Sequence, residues 1–575
     1  MTDSFIRSHL KWLSLLWLLL FFWYFSCTLQ LVILFSGHSG FNGLRDALLY
    51  SLLWLIPVFS FPRQTRYFTA VIGIILWATA CVALGYYLIY GQEFSQSVLF
   101  VMFESNSIEA GEYASQYLSF RLISVIVLYT AVAVYLWTRI RPVWLPVRYR
   151  LVFAVVILTV LFGVPVYNKM IKQHLPGEEA ITYLAGRMGT TAPWQFVGSY
   201  LEYRHQLASM ESMLRQNAAL PPLPNLKDAN GDIPRTLVLV IGESTTRTRM
   251  SLYGYSRPTT PRLDALRKTD PNLVVFNDVI APRPYTIELL QQALTFADQQ
   301  QPDRYLTQPS LMNMMKQAGY TTFWITNQQT ITKRNTMLTV FSQQTDRQFY
   351  LNNQRTQSSR QYDDAVLAPF DEVLSDPAQK KFIVVHLLGT HMKYLYRYPE
   401  SYQRFNDRKG MPAGLDDRQA ETYNSYDNAV LYNDFVVGSL IETFARHQPN
   451  GFLLYFSDHG EDVYETPPHN VLGRNEGAPT RAMYTVPYIL WLSPEWQKNH
   501  PRQYAVYADR KYSSAHLIHT WADLAGLSHD FYEPGKSLVN ADFRPETRWI
   551  GNPYEKNGLK DFDALPLVID APKTE

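Results

Sequence analysis

The sequence predicts two parts: an α-helical membrane domain of five spans, then an exported α/β/α domain built on a mostly parallel sheet. Two observations lead there. Five stretches in the first third of the chain contain no Asp, Glu, Lys or Arg, and beyond residue 234 short apolar runs alternate with helical patterns. The 575 residues are 47% hydrophobic and 14% aromatic, with the long apolar runs concentrated before residue 170.

The charge-free stretches run from Trp12 to Leu44, Ala47 to Pro62, Tyr67 to Gln92, Leu122 to Thr138 and Leu151 to Asn168. Each reaches or approaches the roughly 17–25 residues that a membrane helix needs. The second is the shortest and is interrupted by Pro57. A cleaved signal peptide does not fit the first, whose apolar core is too long, lacks an A-x-A site and is followed by further spans. Arg7, Lys11, Arg63, Arg66, Arg139, Arg141, Arg148 and Arg150 lie before the first span or after the second and fourth, whereas the alternate loops offer little beyond Arg45 and Arg121. That asymmetry puts the amino terminus in the cytoplasm, and an odd number of spans exports everything after Asn168.

Three segments follow: a membrane domain at 1–170, an interfacial helix and linker at 171–233, and an exported domain at 234–575. Between 193 and 226 apolar residues recur at helical spacing and then meet "PPLP", as in an amphipathic interfacial helix with a stiff linker; an ordinary packed helix fits equally. The only cysteines, Cys27 and Cys81, fall inside spans, so the exported part folds without disulfides. A formal net charge of +2 and no face-forming basic run argue against a nucleic-acid partner.

In the exported part "TLVLVIGES", "TTFWITNQQ", "KFIVVHLLGTH", "GFLLYFSDHG" and "VPYILWLS" read as buried strands, and "QPSLMNMMKQAG" and "SSAHLIHTWADLAGL" as helices. Two strands end in chemistry. Glu243 closes "VIGES"; Asp458 and His459 close "GFLLYFSDHG". Open α/β sheets place their sites at the carboxyl ends of strands, and two carboxylates with an imidazole make an oxygen and nitrogen donor set suited to zinc. Any one of them alone reads as a helix-start acid or a satisfied polar residue. Thr286, in "PRPYTIELLQQALTF", sits before an apolar-periodic helix, where a threonine is commonly an N-cap. The same helix start also suits a phosphoryl group carried on that hydroxyl.

The stretches "VIGESTTRTRMSLYGYSRPTTPRLDAL", "RPYTIELLQQAL", "HLLGTH" and "FSDHGE" resemble the signatures of the bacterial phosphoethanolamine transferases, membrane members of the alkaline phosphatase and arylsulfatase superfamily. The resemblance runs over essentially the whole chain. It lies nearer the branch acting on the heptose region of the lipopolysaccharide core than the lipid A modifiers, which carry disulfides in the exported domain and a "GT" pair where this chain has "PYTIE". It implies zinc, one ion or two, with Glu243, Thr286, Asp458 and His459 as ligands and Thr286 as the residue that becomes phosphoethanolaminylated. His391 and His469 match histidines that hold a second zinc or contact the phosphoryl oxygens. Glu104 and Asn106 lie in a segment resembling one near the lipid donor. Asn327, Gln328 and Lys333, after another strand end, are candidates for phosphate contact or ordinary solvated loop residues, and His386 reads as a core or supporting residue.

The expected function is transfer of phosphoethanolamine from phosphatidylethanolamine to lipopolysaccharide core, at the outer leaflet of a bacterial inner membrane with the catalytic domain in the periplasm. A phosphoglycerol transferase and a lipid A phosphoethanolamine transferase are the enzymatic alternatives. A membrane scaffold or transporter is the non-enzymatic one, and spans free of charge disfavour transport.

Overall fold

The structure is a computed structural model that describes residues 2–36, 41–90, 119–173, 177–198, 200, 201, 204, 222–329, 340–352, 362–555 and 557–567. Glu104, Asn106, Lys333 and most of residues 193–226 lie outside them. The chain divides into two compact units, residues 1–206 and 207–575.

Among the described residues of the first unit, five helical segments are long and apolar enough to cross a membrane: Trp12–Phe35, Asn42–Ser60, Pro62–Ile89, Phe120–Arg139 and Val147–Lys172. Their shared core is aromatic. Phe21, Phe22 and Phe25 of the first span bury against Leu84 of the third and Tyr129 of the fourth, and Tyr24 stacks on Tyr129 with ring centroids 4.8 Å apart.

The second span differs from expectation. It starts at Asn42, so Arg45, expected in a loop, lies inside it beside Asp46. It is built of two α-helical pieces, Asn42–Tyr50 and Leu55–Ser60, joined by a 3-10 turn at Ser51–Trp54. Asp46 is tolerated because it is paired: Arg187, on a later helix at Gly177–Met188, reaches Asp46 Oδ1 at 2.6 Å and Arg45 reaches it at 3.0 Å.

The second unit is organised by a seven-stranded sheet. In chain order its strands are β1 (Arg235–Gly242), β2 (Leu273–Val275), β3 (Thr321–Gln329), β4 (Arg347–Asn352), β5 (Lys380–His386), β6 (Gly451–Ser457) and β7 (Tyr488–Leu492). Across the sheet the order is β2, β7, β6, β1, β5, β3, β4. From β6 to β4 every pairing is parallel; β7 runs antiparallel to both β6 and β2. Buried on both faces, β1 and β6 read as unbroken apolar runs rather than alternating ones.

Candidate metal centre

The register carries the site. Ile241 pairs with both His386 on β5 and Phe456 on β6, so the central strand and both its neighbours end at one edge. Glu243 leaves β1 there, and Asp458 and His459 leave β6. All three are buried, and one donor atom from each lies within 4.8 Å of the others, the only such group among the described residues.

The orientation of each donor is fixed by its own backbone. Asp458 Oδ1 accepts the N–H groups of Ser244, at 3.0 Å, and His459, at 2.7 Å, and the side chain is fully buried. His459 Nδ1 lies 2.9 Å from the Gly460 carbonyl. A carbonyl only accepts, so the proton sits on Nδ1 and Nε2 presents a lone pair. That Nε2 lies 3.2 Å from Glu243 Oε1 and 3.2 Å from Asp458 Oδ2.

Burial, with Arg474 beside it, lowers the imidazole's proton affinity, so the ring is neutral. Burial, followed by the charge of Glu243, raises the Asp458 carboxyl well above the usual carboxylate range. A lone pair facing two carboxylates in a dry site calls for a cation among them, the place that the Arg474 guanidinium holds against Nε2 in this structure. Zinc ligands at bond lengths of about 2.0–2.2 Å in a tetrahedron stand about 3.3–3.6 Å apart, close to the separations found. The donor set fits zinc.

Thr286 joins this set from the opposite side. The helix α1 of the catalytic unit spans Thr286–Ala293, with Tyr285 as its N-cap and no side-chain capping bond from Tyr285. Thr286 is therefore the first helical residue, one position past the N-cap. Its hydroxyl donates to Glu243 Oε2 at 3.0 Å. Only half-buried, it stands at the open edge of an otherwise closed cluster.

The remaining candidates divide. His391 and His469 are half-buried, with Nδ1 at 2.7 Å from the Met392 carbonyl and 2.9 Å from the Tyr464 carbonyl, respectively. The metal-competent group includes neither, although the charge of His391 reaches Glu243. Asn327 does not sit in a solvated loop. It is fully buried at the end of β3, and its amide donates to Asp363 at 2.8 Å, the carboxylate that also receives the backbone N–H groups of Leu388 and Gly389. Gln328, also buried, donates to Glu243 Oε2 at 3.3 Å and to the Leu387 carbonyl at 2.9 Å. His386 is core, edge-on to Trp324 with centroids 6.0 Å apart.

Sequence reasoning missed Arg474, whose Nη1 donates to His459 Nε2 at 2.5 Å. It also missed Arg283, which forks onto Glu476 at 2.6 and 3.2 Å just before the threonine. A basic residue after a glycine turn has no periodic signature, and only the tertiary fold shows where it points.

The sulfatase family signature matches residues 235–527. Over 557 residues the chain is 62% identical to phosphoethanolamine transferase EptC of Escherichia coli strain K12, spanning 97% of this chain and 96% of that one. It is 61% identical over 557 residues to phosphoethanolamine transferase CptA of Salmonella typhimurium, again 97% and 96% of the two chains. The crystal structure of the C-terminal periplasmic domain of EptC from Escherichia coli in complex with zinc matches at 68% identity, over 60% of this chain and 98% of that one, with a TM-score of 0.60. The integral membrane lipooligosaccharide phosphoethanolamine transferase A of Neisseria meningitidis, 19% identical, shares the fold over 92% of this chain and 99% of that one, with a TM-score of 0.62.

Proposed function

The chain belongs to the phosphoethanolamine transferases of the sulfatase family, and we propose that Thr286 carries phosphoethanolamine from phosphatidylethanolamine to the heptose region of the lipopolysaccharide core. The observation that carries this reading is the 3.0 Å hydrogen bond from Thr286 Oγ1 to Glu243 Oε2 at the start of α1. Glu243, Asp458, His459 and the Thr286 hydroxyl would hold one zinc ion, with His391 and His469 left for a second ion or the phosphoryl oxygens. When bound, the metal supplies Lewis-acid polarisation and lowers the pKa of a coordinated hydroxyl.

In the first half-reaction the Thr286 proton leaves along the hydrogen bond to Glu243 as Oγ1 bonds to phosphorus. The phosphorus to glycerol oxygen bond breaks, and diacylglycerol departs with a proton. The first turn of α1 turns its backbone N–H groups and positive dipole end toward the resulting phosphothreonine. In the second half-reaction an acceptor hydroxyl oxygen bonds to phosphorus and gives up its proton, the phosphorus to Oγ1 bond breaks, and Thr286 Oγ1 takes up a proton to restore the hydroxyl beside Glu243. Between the two, buried Glu243, Asp458 and His459 keep water from the side of the cluster away from Thr286.

Five apolar spans keep such an enzyme in the inner membrane with its donor lipid, its catalytic unit in the periplasm. The test is direct. Full-length protein incubated with phosphatidylethanolamine and no acceptor is expected to gain one phosphoethanolamine on the peptide containing "PYTIELL". Modification elsewhere, or none with active protein, overturns the reading.

A further inference from the structure

Arg474 stands where two cations cannot. A short antiparallel ladder pairs Gly473 with Asp462 and Leu472 with Val463. One residue beyond it, Arg474 Nη1 donates to His459 Nε2 at 2.5 Å and lies 3.9 Å from Glu243 Oε1. On its other side Arg474 Nε lies 3.8 Å from Glu461 Oε1, too long for a hydrogen bond. Glu461 is fully buried, with Tyr394 as its neighbouring hydrogen-bonding side chain.

We propose that Arg474 is a displaceable counter-cation: it occupies His459 Nε2 until the divalent cation takes that nitrogen, then closes onto Glu461. This rests on the reading of Glu243, Asp458 and His459 as metal ligands. A single imidazole lone pair serves one partner at a time, a guanidinium proton or a metal. Two positive groups against the same nitrogen also repel, strongly so in a buried site. The guanidinium therefore yields as the metal enters, and the structure supplies its destination. A shift of about 1 Å brings Nε within the roughly 2.8 Å of a charge-assisted bond to Glu461. The Arg474 side chain is 17% exposed, so one flank is open for the movement. Before the metal arrives, Arg474 offsets the repulsion among Glu243, Asp458 and Glu461, all of which act on it electrostatically. Afterwards it closes onto Glu461, the buried carboxyl beside the centre.

The test is zinc affinity of the full-length protein in detergent, read by competition with a chromophoric chelator at fixed pH, so it does not depend on turnover. Arg474→Ala is expected to bind zinc about ten- to a hundredfold more tightly, the factor expected for one charged hydrogen bond. Glu461→Gln, which removes the second seat, is expected to weaken binding about tenfold, and that loss is expected to disappear when Arg474→Ala is also present. Unchanged or weaker binding in Arg474→Ala overturns the proposal, as does a Glu461→Gln effect that persists undiminished in the double variant. If Glu461→Gln does not fold, Arg474→Lys decides: a shorter cation that cannot span both seats is expected to bind zinc more tightly than the parent, and parental affinity overturns the proposal. Asp458→Ala separates the two levels. Parental zinc affinity there rejects the ligand set, whereas lost binding there with an unaltered Arg474→Ala rejects only the displacement.

Discussion

A side chain on Gly389 would place its first carbon 2.6 Å from the carbonyl oxygen of Glu243 and 2.7 Å from its amide nitrogen. Gly389 also holds φ at +54°, in the left-handed region. The loop after β5 is thereby pressed onto the backbone of Glu243 and tied there by Thr390, whose N–H donates to the Glu243 carbonyl at 2.9 Å. Gly389→Ala is expected to cost about 2–5 kcal/mol, the sum of left-handed strain and overpacking. It is also expected to weaken zinc binding, because relief comes only by moving Glu243. Thermal melts with and without zinc check both; an unchanged zinc-induced shift in Tm would show that the strain is absorbed elsewhere.

The Arg283 pair supports the threonine from the other side. Its guanidinium is 5% exposed and its partner Glu476 11%. The charge of Arg283 also acts on Glu288, buried in the first turn of α1. Arg283→Ala would remove the forked partner of the half-buried Glu476, a loss of up to about 3 kcal/mol for a broken, largely desolvated pair. Arg283→Lys is expected to recover only part of it, because an ammonium cannot reproduce the two-pronged contact. Urea denaturation of the three proteins orders them; a Lys variant as stable as the parent would mean that charge alone matters.

Much of this architecture is legible in the sequence, for identifiable reasons. Charge-free runs show the spans because hydrocarbon tolerates few ionised groups. The start of the second span is hidden because Arg45 and Asp46 break the run, and their tolerance depends on Arg187, 141 residues away from Asp46. Strand ends at Glu243 and Asp458 stand out where an apolar run stops at an acid. The antiparallel sense of β7 does not, since a buried strand reads the same in either direction. Asn327 looked solvated because polar residues follow it; it is buried because Asp363 needs a donor there. Partner identity, not local pattern, decides such positions.

His386 gives the fold an acid sensitivity with a defined sign. Burial pushes its imidazole down to about 4, against about 6.5 in an unfolded chain. Above pH 6.5 both states are neutral and the residue has no effect on the pH dependence. Between pH 6.5 and 4 the unfolded chain binds a proton that the native state refuses, so stability falls by about 1.4 kcal/mol per pH unit until the folded group titrates too. His386→Phe, which keeps an aromatic ring against Trp324, is expected to flatten that part of the profile. Stability curves of variant and parent from pH 7.5 to 4.5 should diverge on the acid side; parallel curves would mean that His386 is protonated within the fold.

Thr286 is where stability and chemistry separate. An N-cap threonine replaced by alanine loses about 0.5–2 kcal/mol, and activity then falls only as folded protein is lost. Here Tyr285 occupies the N-cap position and Thr286 is one residue further on, its hydroxyl turned to Glu243. Alanine is a good helix former at that position, so Thr286→Ala is expected to change stability by less than about 0.5 kcal/mol. It leaves no oxygen to carry the phosphoryl group, so transfer should vanish in protein that is still folded. Thr286→Ser keeps the oxygen but frees its rotamer, since serine lacks the methyl that restricts χ1. Slower transfer through a modified serine is therefore expected, with the phosphoethanolamine mass on the same peptide. Melting curves, transfer assays and peptide masses on the three proteins decide the matter together. An alanine variant that is folded and still transfers phosphoethanolamine would remove Thr286 from the chemistry, whereas one that loses activity only in step with its folded fraction would return it to a structural role.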